Sequence, residues 1–262
     1  MSTPSPLLAL TRAVSPTIVA CELTHLDRLP IDAARAEAQH EEYEAALRAL
    51  GCEVRRVPAA PDNPDAVFIE DTAIVLDELA VITRPGAPSR RAEVEPVAAV
   101  LAEYRALVRI EAPETLDGGD VMQVGRTLYV GRTLRTNDAG IAQLARLVQP
   151  HGYTVIPVEV TGCLHLKSAV TALDDQTVLC NPAWVSPAAF APHRAVLVDA
   201  TEPDAANVVR VGTSLLAAAA FTRTNATLRA AGYALVTVPA DELAKAEGAV
   251  TCCSLVLRRI HT

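Results

Sequence analysis

Aromatic residues are scarce in this chain. Phe, Trp and Tyr make up 3% of its 262 residues, while 50% are hydrophobic. A core is therefore expected from Ala, Val and Leu, and the length suffices to bury a sizeable one in one large domain or two small ones. Excess positive charge is also missing: the formal charge of −8, with no local Lys/Arg cluster, argues against a nucleic-acid groove. Long apolar runs are absent too. Leu7 to Leu10 is too short for the core of a signal peptide, and nothing is long enough to span a membrane. The six cysteines (Cys21, Cys52, Cys163, Cys180, Cys252 and Cys253) form no CxxC pair and no spaced Cys/His finger. That pattern points to the cytoplasm, with reduced thiols and no metal motif.

What is present is a recurring order of elements. Thr17 to Cys21 reads as an apolar strand, Ile31 to Leu50 as a helix stopped by Gly51, and Glu53 to Val57 as a strand. Hairpins follow at 72–76/79–83, 120–124/128–131, 169–173/177–180 and 208–211/215–219. Each leads into a helix (from Ser89 to about Tyr104, Asn137 to Gln149, a poorer one at 186–193, and 223–231) and then a strand (108–111, 153–158, 195–198, 234–238). The last strand, Ser254 to Leu257, lacks a downstream partner and is expected to pair with Thr17 to Cys21. Five units at a spacing of roughly 40–50 residues suggest a repeat architecture. Since the last strand completes the first unit, the expectation is a closed five-fold pseudosymmetric α/β propeller, with an ordinary α/β sandwich as the other reading.

If the units are equivalent, the loops leading into the hairpins converge on one axis. They carry Asp65, Glu70 and Asp71; Asp117-Gly118-Gly119-Asp120; Gly162-Cys163-Leu164-His165; Asn207; and Cys252. A thiol just ahead of a buried strand is a common place for a nucleophile. The loops leaving two hairpins carry Arg90-Arg91 and Arg135, suited to a carboxylate through forked hydrogen bonds. Acidic and basic groups together describe an amino acid with a basic side chain. Each residue also has a plainer reading. Asp117 suits a turn before the Gly pair, His165 a core position between leucines, Arg90 and Arg91 a solvated helix start, and Glu70-Asp71 a hydrophilic strand end.

The segments NPDAVFIEDTAIV, ITRPGAPSRR, TLDGGDVMQVG, GRTLRTN, LHLKS and TCCS, in this order, closely resemble the dimethylarginine dimethylaminohydrolases of the guanidino-group-modifying (pentein) superfamily. The resemblance runs from about Arg12 to Leu257. It implies one catalytic domain over 1–262, a five-bladed α/β propeller, and hydrolysis of Nω-methylated arginines to citrulline and a methylamine without a cofactor. Carried over by motif, the nucleophile falls on Cys252, the general acid/base on His165 and its carboxylate partner on Asp117. Glu70 and Asp71 would contact the guanidinium, Arg90 and Arg135 the α-carboxylate, and Asp65 the α-amino group. Leu23 matches the substrate-covering loop. Ala246-Glu247 stands where a Val-Asp or Ile-Asp pair is usual, which leaves that local contact open. The expected partner is a methylated arginine, not nucleic acid or membrane, and a homodimer is left open. Rival readings are an arginine deiminase on the same fold, a zinc-binding regulator and a silent arginine-binding homologue.

Overall fold

Among the described residues, fifteen strands fall into five three-stranded sheets, and every sheet repeats one connection pattern. The structure is a computed structural model and describes residues 7–259. The first sheet joins β1 (Leu7–Thr11), β2 (Cys52–Arg56) and β15 (Leu255–Arg258). The second holds β3 (Ala73–Val75), β4 (Leu79–Ile82) and β5 (Ala106–Arg109). The third holds β6 (Val121–Val124), β7 (Thr127–Arg132) and β8 (Thr154–Glu159). The fourth holds β9 (Val170–Ala172), β10 (Thr177–Cys180) and β11 (Arg194–Leu197). The fifth holds β12 (Val208–Val211), β13 (Ser214–Ala218) and β14 (Ala234–Val238). In each, the middle strand pairs antiparallel with one neighbour and parallel with a strand that returns after a crossover; the antiparallel neighbour is a hairpin partner in four sheets and the distant β15 in the first.

The crossovers are helices Ala33–Ala49, Val94–Leu101, Asp138–Val148 and Thr222–Ala230. Two start on side-chain caps: Asn137, expected from the sequence, accepts from Gly140 N at 2.7 Å, and Asp32, which sequence reading did not single out, accepts from Arg35 N at 3.0 Å. The helix expected at 186–193 is only a 3₁₀ turn, Pro187–Phe190. Ser89 caps nothing; its hydroxyl donates to Glu22 Oε1 at 2.6 Å, inside a 3₁₀ segment Pro88–Glu93.

The first strand is a correction. Thr17 to Cys21 is no strand: Ile18–Ala20 is a 3₁₀ turn, drawn round by Ser15 Oγ accepting from Thr17 N at 3.2 Å. The closing partner of β15 is the apolar run Leu7–Thr11, with Leu8 opposite Leu257. β1 is a central strand, and Leu8, Ala9 and Leu10 are fully buried on both faces, as an uninterrupted apolar run requires.

No single core holds the ring. Because side chains alternate along a strand, each middle strand serves two neighbours. Leu8 and Leu10 pack with Ile69, Ala80 and Ile82 of the second blade, while Ala9 packs with Leu216 and Val238 of the fifth. Leu215 and Ala217 likewise face the fourth blade, and Leu216 faces the first. Five aliphatic interfaces result, which explains how so few aromatics suffice. The strands β3, β6, β9, β12 and β15 line a central cavity of about 310 Å³. Just before each of them the chain makes a short helical turn: Ile69–Thr72, Gly118–Asp120, Leu166–Ala169, Pro203–Ala206 and Thr251–Cys253.

Candidate active site

The turns of neighbouring blades touch one another. Asp71 lies in the first, Asp117 and His165 precede the next two, Asn207 follows the fourth and Cys252 lies in the fifth. Equivalent positions in five units thereby place side chains from distant sequence side by side.

Cys252 lines a cavity of about 20 Å³ together with Asp71 and His165. That is room for a water, not for an amino acid. Cys252 and Cys253 share a 3₁₀ turn rather than an extended strand, so their side chains diverge by about a third of a turn. Cys253 is fully buried and points its thiol at Ala249 O, 3.5 Å away. Burial, with the carboxylates of Glu70 and Asp71, pushes the Cys252 thiol up to about 12. The protein therefore holds it protonated.

His165 Nε2 lies 3.0 Å from Asp117 Oδ2, and Nδ1 lies 3.7 Å from Asp71 Oδ1. Burial alone would lower the imidazole; Asp71, Asp117 and Asp120 overcome it and raise the group to about 9. Asp117 is fully buried and is oriented by Gly86 N, 2.8 Å from Oδ1. Burial opposes ionisation of Asp71, yet His165, Arg90 and Gly119 N bring it down to about 2. The close approach needs glycine: a Cβ at position 119 would sit 2.6 Å from Asp71 Oδ1 and 2.8 Å from His165 Nδ1. Asp71, Asp117 and His165 have ligand atoms near enough to share a cation. As arranged, though, Asp71 is taken up by Arg90 and Gly119 N, and Asp117 by Gly86 N and the imidazole. The set is two carboxylates around an imidazolium.

The other wall of the cavity carries Asp65, Arg90 and Arg135. Arg90 is buried and bonded to Asp71, to Glu93 Oε2 at 2.8 Å and to Phe68 O at 2.9 Å. Arg135 differs. Its Nη2 donates to Thr24 Oγ1 at 3.3 Å, but its buried Nη1 has no partner among the described residues. An unmatched buried guanidinium nitrogen facing a cavity favours an anion there. Burial raises Asp65, which accepts from Glu22 N at 3.1 Å.

Segment 21–28 covers this wall. Glu247 holds it, accepting from Thr24 N at 2.9 Å, Leu26 N at 2.6 Å and His25 N. To do so Glu247 takes φ of 55°, a left-handed conformation unusual outside glycine. Ala246 and Glu247 both line the cavity. Leu23 instead packs on the interface between the first and fifth blades.

Glu70 is placed differently from its neighbour Asp71. Its carboxylate accepts from Lys167 Nζ at 2.6 Å and Thr251 Oγ1 at 2.8 Å. All three residues line the central cavity, not the small one beside Cys252. Burial raises the acid and Lys167 opposes the rise.

Comparison with known proteins identifies the family and the fold. The family profile described as N,N dimethylarginine dimethylhydrolase, eukaryotic, matches residues 28–211. The chain is 42% identical to the N(G),N(G)-dimethylarginine dimethylaminohydrolase of Streptomyces coelicolor, over 97% of this chain and 98% of that one. It is 33% identical to the Pseudomonas aeruginosa protein of that name, over 86% and 89% of the two chains. The chain belongs to the dimethylarginine dimethylaminohydrolase family.

A solved Pseudomonas aeruginosa structure, a Cys-to-Ser mutant complexed with citrulline, superposes with a TM-score of 0.90 at 29% identity, over 97% of this chain and all of that one. The N-terminal domain of a cyanobacterial arginine dihydrolase superposes at 0.87 with 19% identity, over 97% of this chain and 98% of that domain, a likeness of fold. Glu247, whose local contact the resemblance left open, bonds the backbone of 24–26. Sequence reasoning missed Lys167, Glu93 and Glu22. Lys167 stands inside the LHLKS motif, and Glu93 stands three residues beyond Arg90, a spacing that signals a helical ion pair. Glu22 carried no such signal.

Proposed function

We infer that this protein hydrolyses Nω-methylated arginines to citrulline and methylamine or dimethylamine, as a single catalytic domain of 262 residues. The observation that carries the reading is Cys252, Asp71 and the His165–Asp117 pair around one cavity whose far wall holds Asp65 and Arg135. Asp71 would hold the guanidinium, with Glu70 behind it at the Lys167 pair. Arg135, with Arg90, would receive the α-carboxylate and Asp65 the α-amino group. Placing a cation beside Cys252 favours the thiolate that burial suppresses in the free protein.

On substrate binding the Cys252 thiol loses its proton to solvent, and the thiolate attacks the guanidinium carbon and forms a C–S bond. His165, as imidazolium, gives its proton to the departing methylated nitrogen, whose bond to carbon breaks with the electron pair leaving on the amine. A thiouronium remains on Cys252. Neutral His165 then takes a proton from water and hydroxide adds to the same carbon; the C–S bond breaks with its electron pair returning to sulfur, and the hydroxyl proton passes to that sulfur, giving citrulline and the resting Cys252 thiol. Asp117 holds the imidazole in position throughout. The carbon is resonance-stabilised and a poor electrophile, so fixing its plane against the sulfur contributes much of the rate. The six unbridged cysteines suit the cytoplasm proposed for this protein.

The test is product analysis with asymmetric dimethylarginine, monomethylarginine and arginine, with and without a chelator. Citrulline with dimethylamine or methylamine is expected, unaffected by chelation, and none from Cys252→Ser. Ammonia from arginine as the sole amine product overturns the reading in favour of a deiminase.

A further inference from the structure

We propose that Asp120 is a positioning residue for this reaction, a buried strut that sets the His165 turn, the Asp117 turn and the Arg135 loop in one register. Asp120 is fully buried. Its Oδ1 accepts from the backbone N of Leu166, the residue after His165, at 2.9 Å. Its Oδ2 accepts from Thr136 Oγ1 at 2.6 Å and Thr133 Oγ1 at 2.7 Å. Room for Oδ1 is left by Gly131, where a Cβ would lie 2.9 Å from it.

The direction of these bonds matters more than their number. A hydroxyl has one proton to give. With both threonine protons committed to Asp120, each hydroxyl can only accept from its other neighbours. Thr136 Oγ1 accepts from Asp117 N at 3.1 Å, which fixes the carboxylate that faces His165. Thr133 Oγ1 accepts from Arg135 N at 3.1 Å and Thr136 N at 3.2 Å, which fixes the loop carrying the unmatched guanidinium. A carboxylate is the side chain of this size that accepts at both ends. An amide in its place presents N–H to two hydroxyls, which must then turn, and their lone pairs are withdrawn from Asp117 and Arg135. One acidic group thereby couples the proton-transfer pair to the carboxylate-binding arm. Asp120 lines neither the cavity beside Cys252 nor the central one; beyond helping to hold His165 as an imidazolium, it reaches the reaction through these hydrogen bonds.

This inference rests on the reading of the site as a methylarginine hydrolase, and its test separates the two. Thr133→Val, Thr136→Val and Asp120→Asn would each be assayed on dimethylarginine and on a methylguanidine lacking the amino-acid end. Amide hydrogen exchange at Asp117, Arg135 and Leu166 would be followed in the same samples. Thr133→Val is expected to raise KM for dimethylarginine about tenfold, the scale of one lost hydrogen bond, while sparing the truncated substrate. Thr136→Val is expected to lower kcat on both substrates. Asp120→Asn should do both and speed exchange at all three amides about tenfold or more. Wild-type kcat and KM in folded Asp120→Asn overturn the proposal. So does the same pattern from both threonine variants, even if Asp120→Asn does not fold. A wild-type chain inert on methylarginines, with exchange altered as stated, removes the hydrolase reading and leaves the strut.

Discussion

Cys252 is kept as a thiol by its surroundings, at about 12, while His165 is kept as an imidazolium, at about 9. Neutral iodoacetamide should therefore inactivate the enzyme at a rate still rising at pH 9, whereas a cationic haloacetamidine, which brings its own charge, should react faster at neutral pH and label Cys252 rather than Cys253. A plateau of the iodoacetamide rate below pH 8, read from timed inactivation, would contradict the assigned environment. Stability carries the same signature. His165 binds its proton more tightly folded than its ordinary 6.5, so its contribution is whole below about pH 6.5 and lost as pH rises through 9. The amount is on the order of 2–3 kcal/mol. The Cys252 thiol is raised as well, so its contribution disappears later, between about 9 and 12. Thermal melts should show Tm falling from pH 6.5 to 9, with a flatter slope in His165→Gln. The arginines separate too. Arg135→Ala should cost about 2–4 kcal/mol in kcat/KM and little stability. Arg90→Ala should in addition destabilise the fold, because Asp71 and Glu93 lose a buried partner. Equal denaturation midpoints for the two variants would refute the distinction.

At the scale of elements, the nucleophile turn and the covering segment are held by different devices. The turn is fastened from below: Asn207 Oδ1 accepts from Thr251 N at 2.9 Å, and Tyr43 Oη and Ser254 Oγ are 2.6 Å apart. The segment 21–28 is fastened from the side by Glu247 and by Arg28, which donates to Val19 O and Cys21 O at 2.7 Å each. A cavity of about 20 Å³ is too small for an arginine, and segment 21–28, which contributes Glu22 to its lining, is one of the elements that close it. Glu247→Ala releases three backbone N–H groups and should loosen the segment by about 1–2 kcal/mol. Faster tryptic cleavage after Arg28 and an altered KM are the expected readouts. Unchanged cleavage would show that Arg28 and Asp65 hold the segment alone. That position 247 departs from the family pattern is visible in the sequence. Its bonding to residues 24–26 is not, because the two meet only when the last blade closes on the first.

For the whole molecule, ring closure is the vulnerable feature. β1 is the middle strand of its sheet, and its alternate residues serve two inter-blade cores. Leu10→Ala should therefore cost about 2–5 kcal/mol, although it lies near the chain's start. Leu197→Ala, at a 49% exposed position, should be close to neutral. Denaturant midpoints for the pair test the claim, and a near-neutral Leu10→Ala would sink it. Charge has less to say here. Buried carboxylates at the ring's mouth, including Glu70 and Asp71, are paired with Lys167, Arg90 and His165.

Local chemistry was enough for the repeat. Apolar runs joined by short polar or glycine turns marked the hairpins, Asn137 marked a helix start, and the recurrence at similar spacing implied equivalent loops and a common axis. Motif order was enough for the family. Placement followed where the residue stands in a loop leading to the axis: Asp71, His165 and Cys252 line one cavity. Three matters waited for the tertiary structure. Leu7–Thr11 became the closing strand because only ring closure buries both of its faces, while Thr17–Cys21 turned on a local serine hydroxyl. Glu70 and Asp71, adjacent in sequence, took different cavities because Lys167 from another blade captured one and Arg90 the other. Arg90 became a buried structural cation and Arg135 an unmatched one, since an arginine's free valence depends on which acids the fold brings to it. Periodicity and capping act over a few residues and are written in the chain; pairing across blades is a property of where the blades meet.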